Sequence, residues 1–214
     1  GEPLDYDRWV AGIRDGRSYV GDGLSHLFDF AVDGFEVGTP GDDGRASVLA
    51  LDEAKPLAIT VQAAAMLEPE PRDDIRDRPL DRQPYWHVER ARVGDSRKVP
   101  VELIVNGHAV ARQEIVADGS VHELTFDYTP EQSSWIALRI LPSSHTNPVF
   151  VEIAGQPIRA SKRSAQWCLD AVDVCWRQKE PAIREADKEA AAAAYEQARA
   201  AYREILEESY DDRE

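Results

Sequence analysis

Between residues 98 and 153 short apolar runs are separated by turn residues with no helical period between them, and this rhythm restricts the fold more than any other feature. Val99, Val101, Leu103 and Val105 fall at every second position, the period of a strand. Asn106-Gly107 follows, a pair that favours positive φ at both turn positions, and residues 109–116 return as the second arm of a hairpin. Asp118-Gly119 predicts the next turn, leading to a strand at 121–128, and residues 135–141 and 149–153 continue the series. Upstream, 26–32 and 35–37 flank Asp33-Gly34, another hairpin signal, and 47–51, 57–67 and 86–93 read as further strands. The alanine run 63–65 leaves the end of the 57–67 segment ambiguous, because alanine prefers helix. Strands without intervening helices predict a mainly β protein, an antiparallel sandwich of immunoglobulin-like or jelly-roll-like type, and exclude a parallel α/β sheet.

Helical period occurs only at the two ends. Asp5 is a good N-cap, and Tyr6, Trp9, Val10 and Ile13 lie at helical spacing before Gly16. From Ser161 the period turns helical again: Ala165, Cys168, Leu169, Val172, Cys175 and Trp176 share one face. Pro181 interrupts, and a second helix follows with Ile183, Ala186, Ala190, Ala194, Ala198, Ala201 and Ile205 on one side. The expectation is an antiparallel helical pair laid against the sandwich. Residues 69–84 carry nine charged residues and four prolines, which predicts a long irregular connection.

Charge narrows the class of partner. The 214 residues include 25 basic and 40 acidic ones, a net charge of −15. Phosphates repel such a chain, so nucleic acid and anionic membrane surfaces are poor partners, and no apolar run reaches the roughly 18 residues of a membrane span. The absence of an initiator methionine and of a basic-then-apolar leader fits a piece of a longer polypeptide.

Motifs for chemistry are sparse. Cys168 and Cys175 stand two helical turns apart, about 10.5 Å of rise, beyond disulfide reach, and read as core thiols. His87 and Glu89, two apart on an expected strand, could face one side, but zinc requires three or four ligands. No H-x-H, H-E-x-x-H, G-x-S-x-G or phosphate-binding glycine loop occurs. The densest polar cluster is Ser143-Ser144-His145-Thr146-Asn147-Pro148, a natural turn between two strands.

Several segments together carry a resemblance. Asp5-Tyr6-Asp7-Arg8-Trp9 through Gly16-Arg17-Ser18-Tyr19-Val20, with Asp22-Gly23 and Ser25-His26-Leu27, resembles the stretch just after the catalytic barrel of CehA/McbA-type metallohydrolases of the polymerase-and-histidinol-phosphatase (PHP) superfamily. Val101-Glu102-Leu103-Ile104-Val105-Asn106-Gly107, Ser134-Trp135-Ile136-Ala137-Leu138-Arg139 and Thr146-Asn147-Pro148-Val149-Phe150-Val151 agree, the last being similar to a "TNPIYV"-like strand near the family's C-terminus. The resemblance implies a secreted or periplasmic bacterial metal-dependent hydrolase whose divalent metals sit in an N-terminal barrel. The barrel's H-x-H and further ligands have no matching positions here, so no catalytic residue, metal ligand or cofactor is assigned to this chain.

On this view residues 1–20 are a helix and linker leaving a catalytic barrel, 21–158 a β-sandwich and 159–210 C-terminal helices packed on it. The implied function is a non-catalytic accessory domain whose partner is the N-terminal catalytic domain of the same chain. Asp22, Ser25 and His26, with Ser144, His145 and Asn147, are polar groups on turns that would face the barrel mouth, and Tyr19 would help dock the helix. Such an interface requires an apolar patch, for which Trp9, Phe28 and Phe30 are the candidates. The alternative is a carbohydrate- or small-ligand-binding sandwich using Tyr85, Trp86 or Trp135, and an autonomous hydrolase would need His26, His87 or His145.

Overall fold

Eleven strands, built from the turn chemistry of the sequence, form two sheets among the described residues of the computed structural model, 3–79 and 81–210. The chain divides into two compact units that part between Pro157 and Ile158.

In the first unit, α1 (Tyr6–Arg14) precedes β1 (Tyr19–Val20), β2 (Ser25–Val32), β3 (Phe35–Glu36), β4 (Val48–Leu51) and β5 (Leu57–Met66). A short helix α2 (Asp73–Arg76) and a 3₁₀ turn (Val88–Ala91) lead to β6 (Lys98–Val105), β7 (His108–Val116), β8 (Asp118–Tyr128), β9 (Ser134–Ile140), β10 (Ser144–Thr146) and β11 (Val149–Ile153). The smaller sheet runs β3-β2-β5-β8, all antiparallel. In the larger sheet β7 pairs β6 and β6 pairs one edge of β9; the other edge of β9 pairs β10 and then β11. β1 extends the sheet beyond β10, and β4 joins β11 in parallel. The fold is thus mainly β and antiparallel, with a short N-terminal helix and two C-terminal helices, as the sequence predicts.

The core lies between the sheets. Val99, Val101, Leu103 and Val105 of β6 and Ile136, Leu138 and Ile140 of β9 join Leu27, Ile59, Val61 and Phe126 of the smaller sheet in one buried cluster. Each such side chain contributes about 1.5–3 kcal/mol by leaving water. The alanine run 63–65 is strand, because pairing on both edges with β2 and β8 overrides its helix preference. Asn106 and Gly107 take positive φ, 51° and 91°, as the hairpin requires.

Two local expectations are corrected, and the two expected patch residues of β2 part company. Residues 86–93 do not form a strand: their groups bond to the neighbouring loop, and the 3₁₀ turn replaces the ladder. Asp118-Gly119 does not close a hairpin, because β7 pairs β6 in one sheet and β8 pairs β5 in the other, so the chain crosses between sheets there. Phe28 and Phe30, two apart in sequence, fall on opposite faces of β2. Asp29, at φ 52°, forms a bulge where the β2–β5 register shifts, so Phe30 enters the core 2% exposed while Phe28 stays half-buried on the other side.

The second unit is an antiparallel helical pair, α3 (Lys162–Lys179) and α4 (Lys188–Glu208), joined by two 3₁₀ turns with Pro181 in the first. Ser161 caps α3 by accepting from the Ser164 amide. Cys168 and Cys175 are half-buried, not core, because this unit buries little of its seam.

Candidate functional site

The polar residues singled out from sequence converge along the β1–β10 edge, where they chiefly hold backbone. Pairing of β1 with β10 sets Tyr19 opposite Thr146 and Val20 opposite His145. Asp22 uses both carboxylate oxygens: Oδ1 accepts from the Leu24 and Ser25 amides at 2.8 and 3.1 Å, and Oδ2 accepts from the Val88 amide at 2.8 Å. Asn147 donates through Nδ2 to the carbonyls of Gly16 and Ser18 and to Ser18 Oγ, at 3.0–3.2 Å. Ser25 Oγ lies 2.5 Å from Ser143 Oγ in the interior. Tyr19 Oη and His26 Nδ1 stand 2.8 Å apart with the rings edge to face. Ser144 Oγ is buried with no hydrogen-bond partner among the described residues, and His145 is exposed, its Nδ1 3.2 Å from the Thr146 carbonyl.

These bonds fix the N-terminal segment by its loop. Asn147 grips residues 16 and 18, and Gly38 packs on Arg17 so closely that a Cβ there would collide with the Arg17 backbone. The helix before this loop does not lay its apolar side on either sheet. Tyr6, Trp9, Val10 and Ile13 are 68, 54, 41 and 50% exposed, and α1 buries no residue. Trp9 and Ile13 border a cleft of about 1050 Å³ that Arg17 and Gly38 also line. Of the three expected patch residues, Trp9 alone belongs to this surface.

A second concavity of about 510 Å³ lies on the outer face of the larger sheet. Strand register builds it. Trp135 on β9 is opposite Phe150 on β11, and Ala137 is opposite Ile104 on β6. The small Ala137 leaves a hollow between larger neighbours, and Leu141 and Pro148 complete the apolar lining. At the polar end Arg139 is opposite both Glu102 and His145, and its Nε donates to Glu102 Oε2 at 2.7 Å. Trp135 is held firmly, since its amide donates to Asn106 Oδ1 and its carbonyl accepts from the Asn106 amide, at 3.0 and 3.1 Å. Ser144, His145 and Asn147 border this hollow. Phe150 was not singled out from sequence, although its place between the inward Val149 and Val151 marks it as outward-facing.

The charged connection 69–84 belongs to a pinned arch. Glu89 accepts from the Arg72 amide at 2.9 Å and from Arg92 Nε at 2.6 Å, and both ionic side chains are buried. Arg92 also donates to the carbonyls of Glu68, Glu70 and Ser96. Burial pushes the Glu89 carboxyl up, but the hydrogen bonds from Arg92 and from the Arg72 amide outweigh it and hold the group below the ordinary carboxylate range. His87 therefore does not pair with Glu89 as a ligand; its Nδ1 accepts from the Glu89 amide at 3.0 Å. Tyr85 and Trp86 are exposed beside this turn, their rings 5.6 Å apart. Among the described residues, no three His, Cys, Asp or Glu side chains converge so as to hold a metal ion, and no helix is long and apolar enough to cross a membrane.

No family model matches the chain, and no curated protein matches it. Two solved structures of the CARDB domain of the PF1109 protein from Pyrococcus furiosus are similar to part of it. The solution NMR structure shares 11% identity and a TM-score of 0.28, covering 62% of this chain and 98% of that one. The crystal structure, described as a complex with di-metal ions, shares 12% identity and a TM-score of 0.29, covering 70% of this chain and 99% of that one. Likeness at this level carries no argument about the present chain.

Proposed function

We propose that the chain is a non-catalytic accessory domain of a secreted or periplasmic metal-dependent hydrolase, docked on a PHP-type catalytic barrel carried N-terminal to it in the same polypeptide. The observation that supports this reading is the apolar side of α1. Tyr6, Trp9, Val10 and Ile13 remain in water while Asn147 and Gly38 fix the loop that follows them, so the helix is anchored at one end and presents its apolar side outward. Exposed aromatic and aliphatic side chains on an anchored helix suit a domain interface. The polar edge formed by Tyr19, Asp22, His26, His145 and Asn147 lies next along the chain and would border the barrel mouth, stabilising or shaping it, with Ser25 and Ser144 buried behind it. The divalent metal and the hydrolytic chemistry belong to the barrel in this proposal.

The first test is the coding sequence upstream of residue 1, where an H-x-H-bearing barrel is expected and an unrelated or absent domain sinks the proposal. With that barrel supplied in trans, the Trp9→Ser/Ile13→Ser double variant is expected to bind it roughly tenfold more weakly, as loss of an aromatic anchor does.

A second reading is favoured by the hollow at Trp135 and Phe150. Two aromatic rings, a small central alanine and polar groups at one end suit the apolar face and hydroxyl rim of a sugar ring, so the chain would bind carbohydrate or another small ligand there. Titration with a saccharide panel, followed by tryptophan fluorescence, tests it; no binder, or binding untouched by Trp135→Ala, removes it.

A further inference from the structure

The hollow at Trp135 and Phe150 carries charge at one end only. Trp135, Ala137 and Arg139 occupy alternate positions of β9 and so stand on one face of the sheet. From Trp135 to Arg139 the strand advances by about 13 Å. Ala137 between them is 8% exposed, and Ile104 opposite it on β6 is 4% exposed, so the floor is apolar and nearly covered. Among the described residues that line the hollow, Arg139 alone is an acid or a base of the Asp, Glu, Lys or Arg kind; Glu102 does not line it. Glu102 takes the Nε side of the guanidinium, and the two Nη groups have no hydrogen-bond partner among the described residues. A guanidinium held at Nε with its Nη edge free is preset to receive a carboxylate through two parallel hydrogen bonds. His145, opposite Arg139 on β10, turns Nδ1 to the Thr146 carbonyl. A carbonyl only accepts, so Nδ1 carries the proton, and in the neutral ring Nε2 is an acceptor that adds no second cation.

We infer that the ligand of this hollow is a small apolar monocarboxylic acid, its carboxylate on the Arg139 Nη groups and its ring or short carbon chain over Ala137, against Trp135 and Phe150. This rests on the second reading above, that the hollow takes a small ligand, and does not depend on the docking of α1. The lining decides the class. A phosphate dianion would meet a single guanidinium already shared with Glu102, in a chain of net charge −15. A sugar carries hydroxyls around its whole rim, whereas Ile104, Ala137, Leu141 and Pro148 offer no side-chain donor or acceptor to them. An acid with one charged end and an apolar body matches the hollow along its length.

Titration of the full chain with 3-phenylpropionate, 3-phenylpropanamide and methyl β-glucoside, followed by the indole N–H resonance of Trp135, tests it. The acid is expected to bind about tenfold more tightly than the amide, the worth of one charge-assisted hydrogen bond. Arg139→Gln is expected to abolish that preference and to leave the affinity for the amide unchanged, which shows the hollow intact. Arg139→Lys, which keeps the charge, is expected to retain part of the preference. Amide or glucoside binding as tight as the acid's, or an acid preference that survives Arg139→Gln, overturns the carboxylate inference and leaves the hollow a small-ligand site. A Trp135 resonance that none of the three compounds shifts overturns the inference together with the second reading.

Discussion

Glu89 and Arg92 form a buried ion pair on a single 3₁₀ turn, with Arg92 Nε donating to Glu89 Oε1 at 2.6 Å and Arg92 Nη2 to Glu89 Oε2 at 2.9 Å. Around this pair the two ends of the connection, residues 68–72 and residue 96, are held together. Glu89 holds the Arg72 amide, and Arg92 holds the carbonyls of Glu68, Glu70 and Ser96. The ends of a stretch rich in proline and charge are thereby fixed without strand pairing.

Removing one member leaves the other charged and buried. Glu89→Gln is expected to destabilise the protein by about 3–5 kcal/mol, the usual cost of breaking a buried pair. The urea unfolding midpoint measures this, and a change within ~0.5 kcal/mol would contradict the role given to the pair.

Acid should reveal the same carboxyl. Its folded pKa lies below the unfolded value of 4.5, so the unfolded chain takes up the proton more readily. The stability linked to Glu89 is therefore fully present above about pH 4.5 and is lost as pH falls through the depressed folded value. Unfolding free energy measured from neutral pH downward is expected to fall more steeply in the native chain than in Glu89→Gln.

Ser144 offers the opposite case. Its hydroxyl is buried without a partner among the described residues, so the Oγ contributes a desolvation cost and no hydrogen bond. Ser144→Ala is expected to raise stability by about 1 kcal/mol. A thermal melt that moves downward would refute that account.

Asn106 joins turn geometry to the aromatic hollow. It adopts a φ of 51°, accepts from the Trp135 amide and donates through Nδ2 to Ser134 Oγ at 3.0 Å. Asn106→Ala loses both side-chain bonds at a positive φ and is expected to cost about 2 kcal/mol. Chemical denaturation monitored by Trp135 fluorescence checks it.

How much of this was legible beforehand depends on whether the signal is local. Asn106-Gly107, Asp5 and Ser161 act through their own backbone neighbours, and the hairpin and helix starts they predict are present. The strand predicted at 86–93 failed because Glu89 and Arg92 satisfy partners as far away as Glu68, which no local pattern records. Asp118-Gly119 has the composition of a hairpin turn, but which sheet each neighbouring strand joins is a long-range matter. Phe28 and Phe30 share a parity in sequence and lose it to the bulge at Asp29. The candidate polar residues do gather on one edge, and the bonds of Asp22 to the Leu24 and Ser25 amides are local, but its bond to the Val88 amide 66 positions away and those of Asn147 to carbonyls 131 and 129 positions away could not be read from their neighbours.

Alternation at period two, turn pairs and capping residues by themselves determined that this chain is mainly β with helices at its ends, because those signals act over a few residues and the backbone obeys them wherever they occur. Only the tertiary structure decided which strands share a sheet, which side chains of β9 and β11 meet to form the hollow at Trp135 and Phe150, and that the apolar side of α1 stays in water. Those outcomes depend on groups distant in sequence competing for the same partners, and such competition is settled by packing in three dimensions, not by any residue's own preference.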